Sequence, residues 1–143
     1  WSLSGTRSLS EFFFNNLQSG NQIKGFTDNY FCPLYVEDLG KIIFEMLGAG
    51  LSGLYHVVSP ENLSKYAFGV HIAERFGFNP NLITPIKMNL VERGAPRSAN
   101  LTLNPEKIQS VLGHSLPSIN AGIDHFFLRW QEGYPQRLQS FQG

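Results

Sequence analysis

The chain has 143 residues, of which 42% are hydrophobic and 15% charged, with eleven Lys plus Arg balanced by eleven Asp plus Glu. That length suits one domain with a real core. Zero net charge gives no electrostatic basis for generic binding to nucleic acid or an anionic membrane surface. No apolar run approaches the ~20 residues needed to span a bilayer, and no signal-peptide pattern is present. The single cysteine, Cys32, has no intrachain partner, so a reducing, cytoplasmic setting fits; with no cysteine motif around it, it reads as a small buried hydrophobe. The chain opens on Trp1 and not on Met, as a trimmed piece of a longer polypeptide would.

In chain order, Ser8 to Leu17 reads as a helix. Ser8 is its N-cap, Glu11 completes a capping box, and Phe13, Phe14 and Leu17 share one face. Gly20 ends it, and Ile23 to Phe26 is a short strand followed by a Thr27-Asp28-Asn29 turn. Phe31 to Val36 is extended around Pro33. Glu37 to Leu47 forms a second helix, apolar over so much of its surface (Leu39, Ile42, Ile43, Phe44, Met46, Leu47) that it is expected to be well buried. Leu54-Tyr55-His56-Val57-Val58 is the clearest strand, apolar enough to be covered on both faces, with His56 as a core histidine.

Ser64 caps a third helix ended by Gly77, with Phe68, Ile72 and Phe76 at helical spacing. Leu82 to Ile86 is extended. Asn104 caps a short helix from Pro105 to Leu112, and Ser118 starts a last one with Ile119, Ile123, Phe126, Phe127 and Trp130 inward. The alternation predicts an α/β fold with a small, mostly parallel sheet and several helices, too few strands for a complete doubly wound enzyme. Residues 1–135 form the domain and 136–143 a polar tail that frays.

Two apparent motifs dissolve on inspection. His71-Ile72-Ala73-Glu74-Arg75 has Arg where a zinc helix needs its second His, so it reads as a solvated helix face; no metal site is expected. Gly48-Ala49-Gly50-Leu51-Ser52-Gly53 matches G-x-G-x-x-G but follows a helix and precedes a strand, the reverse of the dinucleotide-binding context. No Tyr-x-x-x-Lys pair occurs. What remains is the proline-braced loop from Gly94 to Asn104, where Arg97 is flanked by small residues and Asn100 adds an amide. A guanidinium there suits bidentate contact with a phosphate, or a structural ion pair.

The segment Ala95-Pro96-Arg97-Ser98-Ala99-Asn100-Leu101-Thr102-Leu103-Asn104-Pro105-Glu106-Lys107 resembles the A-P-R-P-x-N-x-x-L-[DN]-x-x-K segment of the dTDP-4-dehydrorhamnose reductase family, extended short-chain dehydrogenase/reductases that act on sugar nucleotides. In order before it stand Phe26-Thr27-Asp28 with Pro33, Tyr35, Val36, Asp38 and Leu39, then Gly53-Leu54-Tyr55-His56-Val57, then Ser64-Lys65-Tyr66-Ala67-Phe68, each similar to a family segment. Ser98 departs from the family's second proline.

The resemblance covers only the family's C-terminal, substrate-binding portion. It implies a parent enzyme that reduces the C4 keto group of a dTDP-deoxyhexulose with NADP or NAD, in dTDP-rhamnose synthesis. The catalytic and cofactor residues would lie in an N-terminal Rossmann half outside this chain. No catalytic, cofactor or metal residue is then expected here, and the isolated chain should be inactive and should not bind NADPH. Arg97 would approach the diphosphate or sugar, Asn100 would position the loop or the ligand, and Trp1 through Arg7 would belong to a loop over the substrate. The partners implied are a dTDP-sugar and the missing half, with self-association through the surface that half would cover. Alternatives within the superfamily are a non-catalytic regulatory or scaffold subunit and a sugar-nucleotide epimerase fragment.

Overall fold

The computed structural model describes residues 8–88, 98–134 and 137. Helix α1 (Leu9–Gln18) begins as the sequence predicts: Ser8 and Glu11 form the capping box, with the Ser8 N–H donating to Glu11 Oε2 at 3.0 Å. Strands β1 (Ile23–Phe26) and β4 (Ile83–Ile86) pair in parallel, Ile23 opposite Ile83 and Phe26 opposite Ile86. Pro85 is tolerated because, among the described residues, β4 has a ladder neighbour on one side only. A second sheet places β2 (Tyr30–Phe31) between antiparallel β3 (Leu63–Ser64) and parallel β5 (Asn100–Leu101).

Helices α3 (Lys65–Phe76) and α5 (Ile119–Gln131) start at Ser64 and Ser118, whose hydroxyls accept from the Ala67 and Ala121 N–H groups, each at 3.1 Å. Gly77 ends α3 in the left-handed conformation at φ 71°. Helix α4 (Glu106–Leu112) starts one residue later than expected, with Pro105 and not Asn104 at its N-cap, while the Asn104 side chain accepts from the Glu106 N–H at 2.7 Å. Ile23 and Ile83 of the parallel pair pack with Phe13, Leu17, Phe68, Ile72, Ile119 and Ile123 from α1, α3 and α5. Beside them lies an aromatic cluster in which Phe14 meets Phe76, Phe78, Phe126 and Trp130 edge-on at 4.9–6.0 Å.

Two close approaches depend on a missing side chain. A Cβ on Gly25 of β1 would lie 2.9 Å from Tyr66 Cα, so glycine lets α3 sit directly on the strand. A Cβ on Gly69 of α3 would collide with the Phe13 ring of α1. Cys32 is buried as expected, and its sulfur also accepts from the Leu103 N–H at 3.2 Å, carrying the contact between β2 and β5 onward.

Three expectations fail. Helix α2 (Val36–Gly48) is not well buried: Ile42 is 3% exposed, but Phe44 is 76% and Leu47 69% exposed. Residues 54–58 have no partner strand among the described residues, so they form no ladder. Tyr55 and Val57 turn onto a small core of Ile42, Ile108 and Leu116, while Leu54 is 78% exposed and His56 is exposed, not a core histidine. The cause is common to all three. An apolar composition marks a segment for burial without supplying the covering surface, and α4 covers only one side of this layer. Lys107 ties that side together by donating to the Leu54 carbonyl at 2.8 Å and lying over the Tyr55 ring.

The structure also pairs histidines with polar side chains far away in sequence. His125 Nδ1 lies 2.9 Å from buried Asp38, which Lys41 also contacts at 3.1 Å. His71 meets Asn120 at 3.0 Å. His114 has the Ser115 carbonyl on Nδ1 at 3.1 Å and Glu45 on Nε2 at 2.8 Å. Two acceptors on one ring require both nitrogens to donate, which is the imidazolium. The Ser115 carbonyl first, then Glu45, therefore raise this pKa above its ordinary 6.5. Since the folded pKa exceeds the unfolded one, the stabilisation is complete below the unfolded pKa and is lost as pH rises through the folded one. An NMR titration should place the His114 midpoint above 6.5, and Glu45→Gln should lower it while the Ser115 carbonyl keeps part of the shift. A midpoint unmoved by Glu45→Gln would show the pair is absent in solution.

Candidate functional site

A groove of about 580 Å³ runs along β1 beside the start of α1. Leu9, Phe12 and Phe13 line one wall, Ile23, Gly25 and Phe26 the floor, Ile86 the far end, and Lys24 and Lys65 supply positive charge. Its size is that of a small-molecule site, in the range of about 300–1,000 Å³. Exposed Phe12 gives a flat apolar ring at the groove.

Beyond Phe26 the chain turns through Thr27, Asp28 and Asn29, and the side chains of this turn do unexpected work. The Thr27 N–H and hydroxyl both donate to the Ile86 carbonyl, at 2.9 and 3.2 Å. Asp28 accepts from the Met88 N–H through both oxygens, at 2.9 and 3.2 Å. The Asn29 side-chain amide donates to the Ser98 carbonyl at 2.9 Å and, more weakly, to that of Ala99 at 3.4 Å. The Lys65 N–H donates to the Asn29 carbonyl at 3.1 Å, which joins this turn to a groove-lining residue. The sequence signalled a turn here but not these roles, because their partners stand 59 to 70 residues away.

Of the residues singled out from sequence, Trp1, Arg7 and Arg97 lie outside the described residues. Asn100 is described and exposed. Its Oδ1 accepts from the Thr102 N–H at 3.0 Å and the Thr102 hydroxyl at 2.7 Å, a local turn that shapes the strand end. Asn100 also lines a second, shallower cavity with Asp28, Tyr30, Asn62, Ala99 and Thr102. The turn thus lies between two concave surfaces.

The glycine triplet after α2 does not fit a nicotinamide cofactor. The Ala49 and Gly50 N–H groups close the C-terminal end of the helix, donating to the Glu45 and Leu47 carbonyls at 2.9 and 3.1 Å. A phosphate cradle needs such amides free at a helix N-terminus. Tyr35 is equally structural: burial first, and Glu37 second, push its phenol pKa well above the ordinary value, so it stays protonated at neutral pH. No helix among the described residues is long and apolar enough to cross a membrane.

This α/β arrangement, with small parallel pairings under three helices and a groove at one edge, is that of the substrate-holding portion of extended dehydrogenase/reductases. Residues 3–131 match the family model of the RmlD substrate binding domain, and the chain belongs to that family. Among solved structures it is similar to a dTDP-4-dehydrorhamnose reductase from Bacillus anthracis in complex with NADP (TM-score 0.77, 21% identity, 86% of this chain and 43% of that one). It is also similar to a dTDP-4-dehydrorhamnose reductase from Clostridium acetobutylicum (TM-score 0.76, 16% identity, 87% and 44%). A dTDP-glucose 4,6-dehydratase from Bacillus anthracis in complex with NAD shares the fold at TM-score 0.68 and 15% identity, over 87% of this chain and 39% of that one. The probable low-salt glycan biosynthesis reductase Agl14 of Haloferax volcanii is 30% identical over 105 residues, 73% of this chain and 35% of that protein. The chain thus spans less than half the length of each of these proteins.

Proposed function

We propose that the chain is the sugar-nucleotide-holding portion of a reductase that converts the C4 ketone of a dTDP-deoxyhexulose to an alcohol with NAD(P)H, in dTDP-rhamnose synthesis. The observation that carries this reading is the Thr27–Asn29 turn. It holds Ile86, which lines the lysine-flanked apolar groove, together with Met88 and Ser98. The groove suits an apolar-faced base or sugar, its lysines suit phosphate, and Arg97 stands one residue before the held Ser98. Trp1, Arg7 and Asn100 are assigned to the rim around the ligand. Hydride and proton transfer belong to the nucleotide-binding half. This chain contributes orientation, which lowers the barrier only if the ketone is held in a reactive pose.

The same reading assigns the exposed face of Phe44, Leu47 and Leu54 to the nucleotide-binding half. Support comes from the extent of this chain, 43% of the NADP-bound reductase it resembles, and from the uncovered side of residues 54–58. To test the site, dTDP is titrated into the isotope-labelled natural full-length polypeptide and followed by NMR. The largest amide shifts are expected at Gly25, Phe26, Lys65 and Met88. Shifts confined to His71, Asn120 and Asp124, on the opposite α3–α5 surface, would contradict the assignment.

A further inference from the structure

We infer that the polar cavity on the three-stranded sheet is a second ligand site, one that holds a neutral pyranose by its hydroxyl groups. The sugar-nucleotide reading supplies one source for that sugar, but the chemistry of the cavity does not rest on it. The cavity measures about 430 Å³, within the range of about 300–1,000 Å³ usual for small-molecule sites. Tyr30 of the central strand stands opposite Ser64 on one side and Asn100 on the other. Side chains alternate between the two faces of a sheet, so residues two apart share a face. Tyr30, Asn100 and Thr102 therefore stand on one face, joined by Asn62 two positions before Ser64, and all four line the cavity. Phe31 and Leu63 take the other face and pack against the core. The polar face stays open to solvent, with Tyr30 44% exposed.

Hydrogen bonds within the cavity decide what each group has left to offer. Asn100 Oδ1 accepts from the Thr102 N–H, which fixes the orientation of the amide and leaves its Nδ2 with two donors. The Thr102 hydroxyl directs its proton to the same oxygen and keeps its lone pairs. Asp28 accepts only the Met88 N–H among the described residues, short of the roughly four hydrogen bonds a carboxylate can take. The Asn62 side chain and the Tyr30 hydroxyl make no hydrogen bond among the described residues. The cavity thus offers donors and acceptors together, and a sugar hydroxyl, which donates and accepts at once, satisfies both kinds. Asp28 would take a hydroxyl proton in a charge-assisted bond, and the Tyr30 ring adds an apolar surface for the C–H face of the sugar. Among the described residues no Lys, Arg or His lines this cavity, and the Asp28 carboxylate repels a phosphate. Phosphate is therefore left to the groove with Lys24 and Lys65. Asp28 follows Phe26 of that groove by two residues, at most about 7 Å along the chain, so one sugar nucleotide can reach both sites.

The test titrates dTDP, dTDP-rhamnose and free rhamnose separately into the natural full-length polypeptide and into its Asn62→Ala and Asp28→Asn variants. Asp28→Asn keeps an acceptor for Met88, and Asn62→Ala removes no hydrogen bond among the described residues. Both variants should bind dTDP-rhamnose about three- to tenfold more weakly and dTDP within about twofold of wild type. That outcome upholds the site with the nucleotide-linked sugar as its ligand. Equal losses for dTDP and dTDP-rhamnose would place the nucleotide in the cavity and overturn the inference. Free rhamnose is followed by NMR in the wild-type protein, which needs no variant to fold. Amide shifts at Tyr30 and Thr102 that Asn62→Ala abolishes uphold the site for a free sugar. No such shifts, together with unchanged dTDP-rhamnose affinity in both variants, overturn it. If wild type binds neither dTDP nor dTDP-rhamnose, it is the sugar-nucleotide reading that fails, and the rhamnose shifts alone decide the cavity.

Discussion

Phe126→Ala should destabilise the protein by about 3–5 kcal/mol, a large share of the 5–15 kcal/mol typical of a whole domain. Phe126 is fully buried, 6.0 Å centroid to centroid from Phe14 and 5.3 Å from Phe76. The loss has two parts: the burial of the ring itself, and the cavity left among neighbours that cannot collapse into it. Phe14, Phe76 and Trp130 are planar and mutually edge-on, so filling the gap would break other ring contacts. Urea unfolding should show a lower midpoint with an unchanged slope. A cost below about 1 kcal/mol would mean that α1, α3 and α5 do not share this core.

Much of this core was legible in the sequence because it follows local rules. The Ser8 box, the Ser64 and Ser118 caps and the Gly77 terminus are written in a few adjacent residues, and the structure uses them as such. Phe13, Phe14 and Leu17 on one face, and Phe68 with Ile72, follow the helical repeat. The misreadings share a different physics. Burial of Phe44 and pairing of residues 54–58 depend on a covering surface, which no local pattern specifies. The long-range bonds of the Thr27–Asn29 turn were invisible for the same reason: Asp28 and Asn29 look like an ordinary turn until Met88 and Ser98 arrive from some 60 and 69 positions along the chain. The Gly94–Asn104 stretch stood out locally as a proline-braced loop around Arg97, and the likeness of Ala95–Lys107 to a family added the ligand to expect there.

The largest functional effect is expected at Arg97. A charge-assisted hydrogen bond to phosphate contributes about 1.5–3 kcal/mol, so Arg97→Ala should weaken sugar-nucleotide binding by roughly 10- to 100-fold. Arg97→Lys should recover only part of the loss, because an ammonium keeps the charge but not the planar fork. The effect should be confined to the ligand, leaving the Phe126 core and its unfolding midpoint untouched. Calorimetric titration of dTDP into wild-type and Arg97→Ala forms of the natural full-length polypeptide measures this directly. A loss of at least about tenfold is predicted, and equal affinities would contradict the account of the site.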